Sequence, residues 1–241
     1  MNTIFFKAVS AVVSMAGSRC CLKGTRFFTV LLATVLSAGY VQAQFHPGFR
    51  VGLNATGMSG DAVPIFWDDA KAEGRAGFIG GFVGELELGR HFAIQPSVLF
   101  AQQGYTALVE SDTKREANYL LNYMQVPLNM LAKLNIGQRS NIFFQIGPYA
   151  GYALNGKLKL EMHEDGKKID EEKYNVAFGK GNNGDTMKRF DYGLGFGLGF
   201  QTGALQIDLA INVGLQNLSN TAGIDMKNYG LAINVGYLIG K

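Results

Sequence analysis

Cysteine is almost absent from this sequence, and its two occurrences, Cys20 and Cys21, both lie within the first 43 residues. The remainder has no thiol, which excludes disulfides, thiolate catalysis and cysteine-based zinc sites there. Three histidines occur after residue 43, His46, His91 and His163, and the strand order described below keeps them apart. We therefore predict no metal site and no cofactor.

Long apolar runs are missing as well. After residue 43 no run reaches the 18 or so residues that indicate a membrane-spanning helix. A shorter apolar run, Phe27–Tyr40, follows two basic residues and precedes Val41-Gln42-Ala43. This order is typical of a secretory signal peptide. We expect residues 1–43 to be a signal peptide cleaved before Gln44, which leaves one domain over residues 44–241.

The expected mature chain also lacks an excess of positive charge. The formal net charge of the whole sequence is +3, but residues 1–43 carry four basic side chains and no acidic one. Their removal leaves a formal charge of −1. A nucleic-acid-binding domain normally presents a basic patch, so we predict no nucleic-acid partner.

Strict alternation dominates what remains, and the stretch Phe190–Phe200 has it most clearly. Its even positions are all apolar or aromatic, whereas its odd positions are Asp191 and four glycines. Side chains alternate between the two faces of a strand, so one face is apolar and the other is nearly bare backbone. A membrane barrel would turn the apolar face to lipid and the glycines to a crowded interior.

The same alternation recurs in eight segments. The predicted strands are Phe49–Thr56, Arg75–Leu88, His91–Tyr105, Asn118–Leu134, Asn141–Asn155, Phe190–Phe200, Leu205–Asn217 and Asn228–Ile239. Their connections alternate between long and short, with a polar loop predicted at Thr106–Ala117 and the longest loop at about 156–187. We read the start of that longest loop as a hairpin that continues the neighbouring strands. The pattern predicts an all-β fold, an eight-stranded antiparallel up-and-down transmembrane β-barrel of the outer membrane.

Two aromatic girdles are expected at the strand ends. The periplasmic rim is predicted to hold Phe49, Phe92, Phe144, Phe200 and Tyr237, and the outer rim Phe78, Phe100, Tyr152, Tyr192 and Tyr229. Three prolines interrupt predicted strands, Pro96, Pro127 and Pro148. Proline cannot donate to a ladder, so we predict a local bulge at each of them.

Charged side chains are expected inside the barrel. By parity the interior holds Arg50, Glu85, Glu87, Lys133, Arg189, Asp191 and Asp208. Eight strands enclose space for side chains only, and buried charges need partners. This predicts an internal network rather than a pore. Glu85 and Glu87 share a face and could be read as catalytic carboxylates, but structural ion pairs are favoured.

Several blocks of the sequence resemble a known family. Ile94–Phe100, Tyr123–Leu128, Ile146–Tyr152 and Phe190–Gly193 are similar, in order and spacing, to recurring blocks of the PorT-like outer-membrane β-barrel family of Bacteroidetes-type bacteria. The resemblance covers about residues 45–239 and implies an eight-stranded outer-membrane barrel. That family is defined by architecture, so the resemblance transfers no functional residues.

Other motifs favour no chemistry. The glycines of Gly193–Gly199 alternate with apolar residues and lack the following helix of a nucleotide loop. Gly181–Asp185 lacks the ligand spacing of a calcium loop and favours a turn. Ser111 and Ser219 have no histidine on neighbouring strand ends, which argues against a lipid-modifying enzyme. We therefore predict no catalytic, cofactor-binding or metal-ligating residue.

The function that these observations favour is that of a non-enzymatic, monomeric outer-membrane barrel without an open pore. Its role would be structural or would depend on its surface loops, namely residues 156–187 and the first loop around Trp67. Its expected partners are outer-membrane lipid and an extracellular or periplasmic protein. The alternatives are an accessory role in secretion or envelope assembly, a membrane-embedded lipid-modifying enzyme, and a soluble barrel that binds a small apolar ligand.

Overall fold

A computed structural model describes residues 44–60, 71–109, 113–164, 167–179 and 187–241. The predicted signal peptide lies outside the described residues. So do Trp67, Ser111 and the segment Gly181–Asp185. No helix with the length and hydropathy of a membrane span occurs in the described part of the chain.

The described chain forms nine β-strands. They are β1 (Phe45–Gly60), β2 (Lys71–Glu87), β3 (Phe92–Val109), β4 (Thr113–Asn135), β5 (Ser140–Glu164), β6 (Lys167–Asn175), β7 (Phe190–Thr202), β8 (Leu205–Gly214) and β9 (Met226–Leu238). The sheet runs β4-β3-β2-β1-β9-β8-β7-β5-β6, and β4 also pairs with β5. All of these pairings are antiparallel.

Eight strands close into a ring, because the β4–β5 pairing joins the two sides of the sheet. The ninth strand, β6, pairs with the far part of β5 and lies outside this ring. The predicted antiparallel up-and-down barrel of eight strands is therefore confirmed. The expected hairpin after the fifth barrel strand is present as β5–β6, with pairs from Lys157↔Asn175 to Glu164↔Lys167.

The two ends of the barrel differ in their connections. The turn end holds the tight connections at 88–91, 136–139 and 203–204, together with the start of β1 and the end of β9. The loop end holds the remaining connections. There β3, β4 and β5 continue well past their neighbours: β5 has 25 residues, whereas β7 has 13 and β8 has 10.

The prediction of a loop over the whole of Thr106–Ala117 is wrong. β3 extends into this segment as far as Val109 and β4 begins at Thr113, and the two strands are paired from Thr106↔Asn118 to Val109↔Arg115. The reason is that Ala107 and Ala117 continue the inward alternation and are buried. The charged residues of this segment conceal that alternation in the sequence.

The apolar outer face follows the predicted parity. In β7 the apolar even positions are exposed and the odd positions are mostly buried. At the turn end the rings of Phe49 and Tyr237 stack at 5.8 Å, and at the loop end those of Phe78 and Phe100 lie 5.6 Å apart. The glycines of β7 make room for the neighbouring strand. A Cβ at Gly199 would collide with the ring of Phe143 on β5.

The bulges predicted at the three prolines are also wrong. The pairing of β2 with β3 has a gap beside Pro96 but continues in the same register, and the same holds beside Pro127 and Pro148. Each proline removes one donor from one ladder, and the opposite neighbour of its strand still holds the register. The register shifts of the ring lie elsewhere, between Gly74 and Ile79 and between Asn122 and Tyr123.

Candidate functional site

A group of paired charges fills the turn end of the barrel. The carboxylate of Glu85 is fully buried, and the Nζ of Lys133 lies 2.5 Å from its Oε1. The ammonium of Lys241 pairs with the same oxygen and lies 2.6 Å from Oε1 of Glu87. The second oxygen of Glu85 accepts a hydrogen bond from Nε2 of Gln206 at 2.9 Å. Both oxygens of Glu85 are thus occupied.

These contacts decide between the two interpretations of Glu85 and Glu87. The two carboxylates do lie together, as their spacing predicts, and both are held by ammonium groups. A general acid or base must be able to exchange a proton with a substrate in reach. Glu85 is buried among its partners and offers no such access. The geometry therefore favours structural ion pairs.

A second charged layer lies further inside the barrel. Nη2 of Arg50 is 3.5 Å from Oδ2 of Asp208, and both side chains are buried. The same Nη2 donates to Oε1 of Gln95 at 2.6 Å. Oδ1 of Asp208 accepts from Gln145 at 3.0 Å and from Asn234 at 2.9 Å. The charges of this layer are thus held by partners from five different strands.

Asp191 lies closer to the loop end and is held by neutral groups. Its Oδ2 accepts from Nδ2 of Asn228 at 3.0 Å and from the hydroxyl of Tyr149 at 3.4 Å. The prediction that Arg189 joins it in the interior is wrong, because β7 begins one residue later and Arg189 is exposed. Its guanidinium lies over the ring of Phe178, 5.6 Å from the centroid.

Side chains fill the described interior. One enclosed cavity of about 30 Å³ is lined by Arg50, Gln125 and Asn212, among others, and one of about 10 Å³ lies beside it near Gln103 and Asn228. A single water needs roughly 10–15 Å³ of such volume. These cavities hold a few waters at most, so the part of the barrel that the structure describes has no open pore.

An apolar cluster closes the loop end. This mouth cluster consists of Met58, Tyr105, Ala107, Ala117, Tyr119, Leu121, Tyr123, Ala153, Phe178, Met187, Leu218 and Met226. The rings of Tyr105 and Tyr119 stack at 4.5 Å and 7°. The chain after β6 folds back over the barrel, where the backbone N–H of Gly179 donates to the carbonyl of Met187 at 3.0 Å. The mouth is therefore sealed by packed side chains.

The two stacked tyrosines lie beyond the apolar outer band. That band ends near Phe100 and Met124, five residues before Tyr105 on β3 and five after Tyr119 on β4. Burial raises the pKa of the Tyr119 hydroxyl to about 12 and that of Tyr105 further still. Burial disfavours the charged phenolate, so both hydroxyls stay neutral at physiological pH.

The β5–β6 hairpin has two unlike faces. On one face Leu158 and Leu160 pack against the mouth cluster. On the other, Nζ of Lys159 lies 2.9 Å from Glu161, and Nζ of Lys173 lies 2.6 Å from Glu171. Within the described residues, β6 pairs with β5 alone, so its other edge is open.

The remaining residues singled out in the sequence lie apart. His46 is buried at the turn end, His91 is exposed in the β2–β3 turn, and His163 lies near the far end of β5. Ser219 lies in the β8–β9 connection, and the glycines of Gly193–Gly199 lie within β7. No group of three metal-ligating side chains occurs among the described residues.

Sequence reasoning missed the mouth cluster and the part played by Lys241. The signal for the first is present, since Tyr105 and Ala107 continue the inward parity of β3 as Tyr119 and Leu121 do for β4. For Lys241 no local signal exists, because the residue follows the last strand and its partners are distant in sequence.

Residues 41–220 match the family model described as "Outer membrane protein beta-barrel domain". No curated protein is similar enough in sequence to match. Solved structures of several bacterial barrels are similar, among them the following three. Ail of Yersinia pestis has 16% identity and a TM-score of 0.41, over 81% of this chain and 99% of that one. Neisserial surface protein A has 8% identity and a TM-score of 0.41, over 81% of this chain and 97% of that one. OprG of Pseudomonas aeruginosa has 11% identity and a TM-score of 0.33, over 82% of this chain and 95% of that one.

Proposed function

The chain belongs to the family of outer membrane protein β-barrel domains, and from this premise we propose that it is a non-enzymatic barrel that binds a protein partner outside the cell through its β5–β6 hairpin. In outer-membrane barrels the short turns face the periplasm and the longer connections face outward. The turn end is accordingly the periplasmic end, and the hairpin projects from the cell surface.

The length of β5 is the observation that carries this proposal. A spanning strand needs about 9–11 residues, and β5 has 25. Its far part forms ordered sheet with β4 on one side and β6 on the other. This part contributes nothing to crossing the membrane, so its regular structure serves a purpose outside it.

The surface of the hairpin suits a protein partner. Ile169 is 56% exposed and Tyr174 is 50% exposed, although both lie at the aqueous end of the molecule. Aromatic side chains such as tyrosine are enriched in protein–protein interfaces, and both residues can contribute contact area to a partner. The open edge of β6 could accept a strand of a partner. The filled interior offers no comparable surface.

We further propose that the chain reaches the membrane of a Gram-negative bacterium with residues 1–43 as a cleaved signal peptide. The PorT-like blocks Ile94–Phe100 and Tyr123–Leu128 support a place in that branch of the family. A monomeric barrel is supported by the closed ring, which leaves no open edge at membrane depth.

Photo-crosslinking in intact cells tests the binding role. A photoreactive phenylalanine analogue replaces Tyr174 on the hairpin or, as the control, Phe200 on the outer face near the turn end. We expect a discrete protein adduct from position 174 and none of the same mass from position 200. A correctly folded, surface-exposed barrel that gives no adduct at position 174 would refute the proposal.

A further inference from the structure

A basic cavity of about 730 Å³ opens at the periplasmic end of the barrel, between the β2–β3, β4–β5 and β7–β8 turns. Its polar lining includes Arg90, Asn135, Gln138, Arg139, Asn141 and Gln201. None of the described residues that line it is acidic. Lys241 also lines it, but its ammonium is held by Glu85 and Glu87.

The two arginines of this cavity are available to a ligand. Arg90 and Arg139 are both exposed, and within the described part of the chain neither guanidinium has an ion-pair or hydrogen-bond partner. Guanidinium groups form paired hydrogen bonds with phosphate oxygens. Two such groups surrounded by neutral amides make a site for a phosphate-bearing anion.

Each of the two turns that carry these arginines is tied to a neighbouring element by a backbone hydrogen bond. The backbone N–H of Gly203 donates to the carbonyl of Arg139 at 2.8 Å, and that of Lys133 donates to the carbonyl of His91 at 2.7 Å. The β4–β5 turn is closed by the N–H of Ile136 and the carbonyl of Ser140 at 3.0 Å. The cavity is therefore held in shape by the backbone.

An apolar groove of about 420 Å³ lies on the outer face of the same strands. Its centre is Ala132 on β4, which pairs directly with Phe92 on β3 and Phe144 on β5. The small side chain between two large rings leaves a notch. Met130 and Phe196 extend its apolar lining toward the middle of the membrane.

An apolar groove next to a basic cavity suits an amphipathic molecule that has an apolar chain and an anionic head group. Ala132 and Asn135 are three residues apart on β4, about 10 Å along a strand. The groove lies on the lipid-facing side of the sheet, and the amides of the cavity, such as Asn135 and Gln201, lie on its inner side. Arg90 and Arg139 lie in the turns at the rim between the two, where the head groups of the periplasmic leaflet lie. We propose that the two together bind an anionic glycerophospholipid of that leaflet, with its phosphate at Arg90 and Arg139 and an acyl chain in the notch at Ala132.

Lipid retention on the folded barrel tests this site. The barrel is placed in nanodiscs of phosphatidylcholine with a minor fraction of phosphatidylglycerol, released under mild conditions and examined by native mass spectrometry. The head-group variant is Arg90→Gln with Arg139→Gln, and its control is Lys157→Gln with Lys227→Gln at the other end. The groove variant is Ala132→Leu, and its control is Ala55→Leu, an exposed alanine on β1.

We expect the unmodified barrel to retain phosphatidylglycerol in preference to phosphatidylcholine. The arginine variant should lower that preference about tenfold or more, given two lost cations at a membrane surface, and its control should not. Ala132→Leu should reduce retention of the lipid, and Ala55→Leu should leave it unchanged. Heat-modifiable gel migration confirms that every variant is folded.

Three results would overturn the inference. The first is an unmodified barrel that retains both lipids equally, and the second is an equal loss in a variant and its control. The third is release of the retained lipid by soluble glycerophosphate at concentrations similar to those of the lipid. That result would mean that the cavity binds a free anion and that the groove adds nothing.

Discussion

The side chain of Lys241, the last residue, pairs with the buried carboxylate of Glu85, 156 positions earlier in the chain. β9 closes the barrel against β1, and Glu85 lies on β2, the strand beyond. The ion pair therefore spans β1, at the place where the first and last strands of the barrel pair. It also places the cation of Lys241 beside that of Lys133, and Glu85 stabilises both.

Removing the charge of Glu85 should be costly. In Glu85→Gln two ammonium groups lose their shared carboxylate, and breaking a buried ion pair of this kind costs about 3–5 kcal/mol. Lys241 remains partly exposed and near Glu87, so we expect the free energy of unfolding to fall by about 3 kcal/mol, the lower end of this range. Urea titration of the barrel in lipid vesicles measures it. The matched variant Glu87→Gln, at a partly exposed carboxylate, should cost less than about 1 kcal/mol. Equal losses would contradict this account.

The contact between Gly199 and Phe143 should be intolerant of a methyl group. Gly199→Ala places a Cβ against the Phe143 ring, and overpacking of this kind costs about 1–3 kcal/mol. In the double variant Gly199→Ala with Phe143→Leu, leucine has no ring and is smaller than phenylalanine. This variant should therefore recover part of the stability that Gly199→Ala loses. Gly137→Ala in the β4–β5 turn meets no close contact and is the control. A double variant that is no more stable than Gly199→Ala alone would argue against the contact.

The buried tyrosines of the mouth cluster predict alkaline sensitivity. The pKa of Tyr119 is about 12 in the folded protein and about 10 in the unfolded chain. Folding thus favours the neutral hydroxyl, and its contribution to the free energy of unfolding is fully present below pH 10. It is lost as the pH rises from about 10 to about 12, so the free energy of unfolding should fall in that window.

Substitution isolates the contribution of Tyr119. The variant Tyr119→Phe should reduce the fall in stability between pH 10 and 12, measured by urea titration at each pH. The corresponding change at Tyr229, an exposed tyrosine of the outer face, is the control and should leave the pH dependence as it was. An unchanged slope in Tyr119→Phe would show that the hydroxyl is already ionisable in the folded barrel.

The barrel itself could be predicted from the sequence because its main determinant is local. Alternation with a period of two assigns each residue to a face, and this gave the strands, the lipid-facing set and the buried positions of Arg50, Lys133 and Asp208. The predicted strands were shorter than β3 and β4 because the loop ends of these two strands are rich in charged residues, as loops commonly are. Parity assigns the face but says nothing of partners across the barrel. The pair Glu85–Lys241 therefore could not be predicted.

The prolines illustrate a second limit of local reasoning. A missing N–H at Pro96 or Pro148 is a local fact, and in an isolated hairpin it would favour a bulge. In a closed ring each strand is held on both sides, and the register is set by all of its pairs together. Arg189 shows the converse. Alternation predicts that its side chain faces the interior, but β7 begins at the next residue and the side chain of Arg189 is exposed.

The orientation of the barrel can be measured directly because residues 44–241 contain no cysteine. Single cysteines replace Lys173 on the β5–β6 hairpin or Arg139 in the β4–β5 turn, and intact cells are treated with a membrane-impermeant maleimide. Our account predicts that Lys173→Cys is labelled in intact cells and that Arg139→Cys is labelled only after the outer membrane is permeabilised. Labelling of Arg139→Cys in intact cells, with Lys173→Cys protected, would contradict it.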